Sequence, residues 1–340
     1  MLEKFGGWRT LLSDLCDGKN LTAEKTESVL SEILSGEADP SQISAFLVAL
    51  KVKGETTEEI TGLVRAMLTA SEPLLLPIDA IDIVGTGGSL QRREAALNVS
   101  TMAAFIAAAS GAVVCKHGNR RASSTSGAFD LLDALGLPIE QTPAEVAEQV
   151  KKKHLGFAFA KTFHPAMRFA GPVRAGIGVP TVFNILGPLS HPGKIKRHLI
   201  GTVSSKLAIQ MAEVLLANGS KHAWIVTGDG EIDEISVTGT TNIVELKDGT
   251  ITEWTLDPSD FGISFYSPSD LKGGSPEKNA EIAIDIFSGR ETGGKSEMVI
   301  LNASAGLVVA GVVSDIGQGL RRSKEAIETG AVVELLESLK

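Results

Sequence analysis

The residues whose types could do chemistry gather in short runs. Lys116-His117-Gly118-Asn119-Arg120-Arg121-Ala122-Ser123-Ser124-Thr125-Ser126-Gly127 sets three cations, an Asn and four hydroxyl residues within twelve positions. A structural loop seldom needs that set. A phosphate pocket in an acidic protein does, because Lys and Arg supply charge-assisted donors to its oxygens. Asp82-Ile83-Val84-Gly85-Thr86-Gly87-Gly88 reads as a buried strand running into a glycine turn. Such a turn is either plain and tight or one whose bare backbone lets a phosphate approach. It is not the dinucleotide fingerprint, since G-x-G-x-x-G with a helix opening on it does not occur there. Asn98-Val99-Ser100-Thr101 stands just ahead of the helical run Met102 to Ala109. Asn98 or Ser100 caps that helix, or its free amides and positive dipole end hold an anion.

Two further runs carry charge. Asp233-Glu234 falls in Gly228-Asp229-Gly230-Glu231-Ile232-Asp233-Glu234-Ile235-Ser236, read as a polar loop. Adjacent carboxylates on a solvated turn are ordinarily just solvated, but beside a phosphate site they are the hard oxygen ligands that Mg²⁺ takes. Phe163-His164-Pro165-Ala166-Met167-Arg168 leads on to Arg174. On one continuous helix Arg168 and Arg174 would point roughly 120° apart, so at most one faces a given pocket; Arg168 is the better surface charge. Asn184-Ile185-Leu186-Gly187-Pro188-Leu189 reads as a tightly turned structural segment.

The elements that must position these runs fall into two textures. Up to about Ala70 nearly everything signals helix. Thr22 can cap one with Gly36 behind it, Asp39-Pro40-Ser41-Gln42 combines an N-cap, a Pro and a reciprocal Gln, and Thr56-Thr57-Glu58-Glu59 opens another after Gly54. From Ile78 onward, short β-branched runs alternate with alanine-rich stretches: Ala80 to Val84, Ala112 to Lys116, Leu155 to Ala160, His198 to Val203 and Ala223 to Thr227. Thr142-Pro143-Ala144-Glu145 is a capping box between the second and third of these. That repetition predicts an α/β fold: a small N-terminal helical domain plus a larger domain with a mostly parallel central sheet flanked by helices. Asp248-Gly249 adds an antiparallel hairpin, and Ala280 to Phe287 and Asn302 to Val313 are further helices.

Composition bounds the partners. The 340 residues carry 32 basic and 41 acidic side chains, a formal charge of −9. That balance argues against a broad grip on nucleic acid, and no stretch is apolar for the length a membrane span requires. Cys16 and Cys115 are too few for a disulfide framework. With no signal-like N-terminus, the expectation is a cytoplasmic protein.

Taken together, Gly85-Thr86-Gly87-Gly88, Asn98-Val99-Ser100-Thr101, Lys116-His117-Gly118-Asn119-Arg120, Ser123-Ser124-x-Ser126-Gly127, His164-Pro165, Asn184-Ile185-Leu186-Gly187-Pro188-Leu189 and Asp233-Glu234-Ile235-Ser236 follow one another in an order and spacing that resembles anthranilate phosphoribosyltransferases. The resemblance runs from the helical start to Asn302. It implies transfer of the phosphoribosyl group of 5-phosphoribosyl 1-diphosphate to the amine of anthranilate, in tryptophan biosynthesis. It also implies a homodimer and a helical domain over 1–73 joined to an α/β domain over 74–340, with hinge segments free to return later helices to the helical domain. Carried over by position, the donor-binding residues are Gly85, Gly88, Ser89, Asn98, Val99, Ser100, Thr101, Lys116, His117, Gly118, Asn119, Arg120, Arg121, Ala122, Ser123, Ser124 and Ala128. Gly85, Asn119 and Arg174 would meet anthranilate, with His117 near its path, and Ser100, Asp233 and Glu234 would hold Mg²⁺. No residue is assigned as a general base. The chain departs from the family after Gly88, where a longer segment places Ser89 for the usual Asp and Ala96 for the usual Thr; Ala128 stands where Ser is common. The alternative is a non-catalytic or altered-specificity relative, such as a pyrimidine nucleoside phosphorylase-like or ligand-binding paralogue.

Overall fold

A computed structural model of the chain describes residues 2–76, 79–87, 96–120 and 125–340. It opens with four helices: α1 (Gly7–Cys16), α2 (Ala23–Ser35), α3 (Pro40–Lys53) and α4 (Thr57–Thr69). Their starts are local chemistry. Thr22 accepts from the Lys25 N–H, and Asp39 with Gln42 and Thr56 with Glu59 form complete capping boxes. Glu59 does more than cap. Fully buried, it also pairs with Lys53 at 2.9 Å and accepts from the Leu21 N–H at 2.9 Å. Helices α2 and α4 touch along Gly62, where any Cβ would collide with the Ala23 carbonyl oxygen.

The α/β part follows as β1 (Ile81–Gly85), α5 (Val99–Ala109), β2 (Val114–Gly118), α6 (Ala128–Ala134), α7 (Pro143–Lys153), β3 (Leu155–Phe159), α8 (Ala160–Phe163), α9 (Gly171–Ile177), α10 (Phe183–Leu189), β4 (Arg197–Gly201), α11 (Ser205–Ala217), β5 (His222–Gly228), β6 (Thr241–Lys247), β7 (Thr250–Leu256), α12 (Pro276–Phe287), α13 (Gly294–Ala310), α14 (Ile316–Glu328) and α15 (Ala331–Ser338). Among the described residues the sheet has seven strands in the order β3-β2-β1-β4-β5-β6-β7. The first five are parallel and the last two antiparallel. Asp248 and Gly249 turn the final hairpin at φ 47° and 84°, the left-handed pair that a tight two-residue loop requires.

Helices cover both faces. On one, α5 and α12 to α15 bury Ile81, Ile83, Leu199 and Trp224; on the other, α1 to α4 share a core with α9, α10, α11 and the strand residues Ile200, Ile225 and Val244. The helices between β3 and β4 therefore return to the N-terminal bundle. Two expectations change here. Asn184 to Leu189 lies within a short helix instead of a tight turn, with Pro188 inside its last turn and the helix ending one residue later. Phe163 to Arg174 is not one helix: Pro165 starts a separate 3-10 turn and α9 begins at Gly171-Pro172.

Candidate active site

Parallel sheets bind ligands outside the carboxyl ends of their strands, where the chain order reverses. Here that point lies between β1 and β4, since β2 and β3 extend the sheet to one side and β5 to the other. Its rim is glycine. Gly85 ends β1, Gly201 ends β4 beside it, and Gly228 ends β5.

The loop from 229 to 240 folds back over that rim. A Cβ at Gly201 would overlap the Asp233 carbonyl, one at Gly228 the Glu234 carbonyl, and one at Gly85 would stand 2.6 Å from Asp233 Oδ2. Asp233 Oδ2 accepts from the Gly87 N–H at 2.6 Å. Asp233 and Glu234 are thus only 7% and 8% exposed, which corrects the expectation of a solvated polar loop. The reason is non-local: three strand ends without side chains leave a groove in which a backbone can lie. Ile235 and Val237, both fully buried, anchor the loop to the core beneath.

Helix α5 points its N-terminus at the same rim. Val99 and Thr101 are buried and Ser100 half-buried. Asn98 makes no side-chain cap. Its amide donates to the Ser126 carbonyl at 3.1 Å, and its Oδ1 accepts from Ser126 Oγ at 2.9 Å and from Asn279 Nδ2 at 2.8 Å. The Asn98 side chain thus ties the start of α5 to Ser126 and Asn279. Lys116, 1% exposed, also turns inward from β2, donating to the Ile83 carbonyl and, at 3.2 Å, to Ser100 Oγ. Burial lowers its ammonium to about 8, with Asp82 opposing. Asp82 is fully buried on β1 and accepts from the His117 N–H at 3.1 Å; burial raises its carboxyl to about 7, opposed by the charge of Lys116.

His117 begins a wall of imidazoles. Its ring centroid lies 5.0 Å from that of His164 and 5.8 Å from that of His191, and its Nδ1 meets the Gly187 carbonyl at 3.2 Å. Burial holds all three neutral, His164 at about 4, His191 at about 3 and His117 well below the ordinary range. Gly118 follows, so close to Ala128 that a Cβ would be 3.2 Å from the alanine methyl. Ala128 is thus a packing contact of β2. Asn119 is exposed, and its Oδ1 accepts from the Arg120 N–H at 2.8 Å. Arg120 points away, pairing with Asp130 at 3.1 Å and Asp133 at 3.0 Å on α6. Gly88, Ser89, Arg121, Ala122, Ser123 and Ser124 lie outside the described residues. Of the later arginines, Arg168 is exposed over the Phe169 ring, as expected, while Arg174 is half-buried over the Phe183 ring at 4.9 Å.

Sequence reasoning passed over Asp82, His191, Gly201 and Asn302. A lone acid inside the apolar strand Ile81-Asp82-Ile83-Val84 was a usable signal for the first. The others sit in runs whose surroundings only the fold supplies.

The residues present suit a small hard cation. Mg²⁺ takes one or two carboxylates and completes its shell with substrate phosphate and water, so two adjacent buried carboxylates suffice. No cluster of three or more His, Cys, Asp or Glu that could hold a metal occurs among the described residues.

Residues 78–333 match the glycosyl transferase family a/b domain, and 9–71 the helical bundle domain of the same family. The anthranilate phosphoribosyltransferase of Methanosarcina acetivorans is 43% identical over 96% of this chain and 87% of its own length. The crystal structure of that of Thermus thermophilus superposes with a TM-score of 0.90 at 38% identity, covering 97% of this chain and 98% of the other. A structure of the Saccharomyces cerevisiae enzyme in complex with PRPP and Mg superposes with a TM-score of 0.88 at 28% identity, covering 98% and 97%. Fold, rim and relatives agree, and the chain belongs to the anthranilate phosphoribosyltransferase family.

Proposed function

We propose that this chain transfers the phosphoribosyl group of 5-phosphoribosyl 1-diphosphate to the amine of anthranilate, giving N-(5-phosphoribosyl)anthranilate and diphosphate in tryptophan biosynthesis. The observation that carries this reading is the pair Asp233 and Glu234, laid over the glycine rim at the ends of β1, β4 and β5. A diphosphate leaving ribose C1 needs its charge met as it departs. The α5 amides and Lys116 would meet the diphosphate oxygens, while Asp233 and Glu234 would hold Mg²⁺ with Ser100. Bound there, Mg²⁺ supplies charge neutralisation to the leaving diphosphate.

As the C1–O bond to diphosphate breaks, the amine nitrogen bonds to C1 and releases its proton to solvent. An arylamine is neutral at pH 7, so orientation over C1 matters more than a strong base. Arg174 would pair with the anthranilate carboxylate, its guanidinium kept planar on Phe183. Gly85 and Asn119 would border the acceptor, and the neutral His117 and His164 rings would wall its path.

A homodimer is part of the same reading, as the resemblance to the family implies. The division into a bundle over 1–73 and an α/β domain over 74–340 goes with the change from the four helices α1 to α4 to the strands that follow, and a cytoplasmic setting with two unpaired cysteines. No helix among the described residues is long and apolar enough to cross a membrane. Calorimetry with the donor and Mg²⁺, then anthranilate, tests the reading, with product followed by chromatography. Donor binding that needs Mg²⁺, followed by turnover, is expected; donor binding without turnover on anthranilate would instead favour a relative with another acceptor.

A further inference from the structure

The acidic loop is tied down by a residue that belongs neither to the loop nor to the sheet. Asn302 lies midway along α13 and is 3% exposed. Its Oδ1 accepts from the Ile235 N–H at 3.0 Å, and its Nδ2 donates to the Ile235 carbonyl at 2.9 Å and to the Met298 carbonyl at 2.8 Å. The two bonds to Ile235 copy the pairing of one strand residue with another, so the side chain grips the backbone next to Glu234 through both its donor and its acceptor. An amide suits this because one terminus carries both functions; a carboxylate, having only acceptors, would face two carbonyl oxygens.

The other polar contacts of the loop act elsewhere along it: Ile232 is bridged to Gly228, and the Val237 carbonyl accepts from the Tyr266 N–H at 2.9 Å. The glycine rim sets how closely Asp233 and Glu234 can approach, but a missing Cβ exerts no attraction. The Ser236 N–H reaches Thr241 Oγ1 at 2.9 Å, beyond the carboxylates on the far side. The bond from the Gly87 N–H engages a carboxylate oxygen of Asp233 itself and not the loop backbone. On the Asp233 side the Ile232 carbonyl accepts from the Gly228 N–H at 2.9 Å; on the Glu234 side Asn302 is the side-chain tie, and it comes from outside the loop.

We propose that Asn302 is a positioning residue for the divalent cation, fixing the backbone at Ile235 so that Asp233 and Glu234 present their carboxylates to the metal together. This rests on the assignment of those carboxylates as metal ligands. Partners that orient metal ligands typically account for about 10- to 100-fold in metal affinity, and Asn302 is expected at the lower end because it acts through backbone.

The test is a Mn²⁺ titration with 5-phosphoribosyl 1-diphosphate present, read by the paramagnetic resonance of free Mn²⁺, on the full chain. In Asn302→Ala the dissociation constant should rise about tenfold. Turnover at saturating metal should recover to within about threefold, with the KM for anthranilate unchanged. Asn302→Ser, which keeps one hydroxyl, should fall between and covers the case in which the alanine variant does not fold. Leu301→Ala, a cavity on the same helix, should lower the Tm without moving Mn²⁺ affinity. Equal shifts in the Leu301 and Asn302 variants would reduce Asn302 to a structural role and overturn the proposal. So would an unchanged constant in both Asn302 variants beside a weakened one in Asp233→Ala with Glu234→Ala. If that double variant also binds Mn²⁺ normally, the carboxylates are not the ligands, and the metal assignment falls together with the proposal.

Discussion

The acidic loop after β5 and the cationic segment after β2 occupy the same rim, yet each is held by opposite means. In the first, two like charges stand side by side, and backbone does the holding: glycine ends of β1, β4 and β5 below, Asn302 behind, Ile235 and Val237 sunk in the core. In the second, the two described cations have found partners within the chain. Lys116 is spent on the Ile83 carbonyl and Ser100, and Arg120 on Asp130 and Asp133. The difference follows from what each must do without ligand. Adjacent carboxylates repel and cannot neutralise one another, so their geometry has to come from packing that outlasts the loss of the metal. A buried ammonium without partners would be far more costly, so the cationic side is satisfied internally and an anionic substrate has to compete for it.

The largest effect should come from breaking the packing under the acidic loop. Gly201→Ala puts a methyl into the Asp233 carbonyl, a clash with backbone that no side-chain rotation relieves. A loss of about 3 kcal/mol or more in denaturant unfolding is expected, together with activity. Gly176→Ala on α9 meets nothing within 4 Å and should leave stability equal or slightly raised. If the two variants unfold at the same denaturant concentration, the rim is looser than described.

Across the cleft, Arg174→Ala should raise the anthranilate KM by an amount corresponding to about 2 to 4 kcal/mol, with the donor KM little changed. Arg174→Lys should recover little of it, because an ammonium offers neither the flat stack on Phe183 nor a paired donor edge. Equal rises for both substrates would remove Arg174 from the acceptor side.

Behind the cationic segment, the imidazole wall should make the protein sensitive to acid. Burial lowers His117, His164, His191 and His198, the last to about 4. Below about pH 6.5 the unfolded chain takes up protons that the folded chain refuses, so stability is complete above that pH and falls below it, by about 1.4 kcal/mol per histidine for each unit. Asp82 has the reverse sign. Raised to about 7, it binds a proton in the folded chain first and adds stability as the pH drops through 7. Four histidines outweigh one carboxyl, so the unfolding midpoint should be lower at pH 5.5 than at 7.5, and His191→Asn should flatten that slope. Equal midpoints in the parent protein would mean that the histidines take up protons within the fold.

The smallest effect belongs to Arg120→Ala. Its ion pairs with Asp130 and Asp133 are open to solvent, so the Tm should hardly move. The donor KM should stay within about threefold if the arginine remains on α6 when the donor binds. A much larger rise would show that it leaves those acids for the phosphates.

Some of this was legible in the chain because it is local. Thr22, Asp39 with Gln42, Thr56 with Glu59 and Thr142 with Glu145 mark helix starts by bonds that span three residues, and each forms. The β-branched runs gave their strands to within a few residues, and Asp248-Gly249 turns the hairpin. The start of α13 was missed, since Gly294 precedes a run without amphipathic contrast, buried nearly all round. At Asn98 the sequence leaves a cap and an anion site both open; the side chain makes no cap, because a network with Ser126 and Asn279 takes its place.

By itself the sequence determined which stretches are helix or strand and which residue types could meet phosphate, carboxylate and metal, because turn chemistry and periodicity act over a few positions. Whether a charge is solvated or sunk depends on the backbone behind it. Asp233 is buried by Gly85 and Gly201 and bonded to Gly87, 146 positions away, and its loop is gripped by Asn302, 67 positions from Ile235. Only the strand order brings those groups together, so the tertiary structure alone decided that the carboxylates lie clamped on the rim while Lys116 turns inward beneath it.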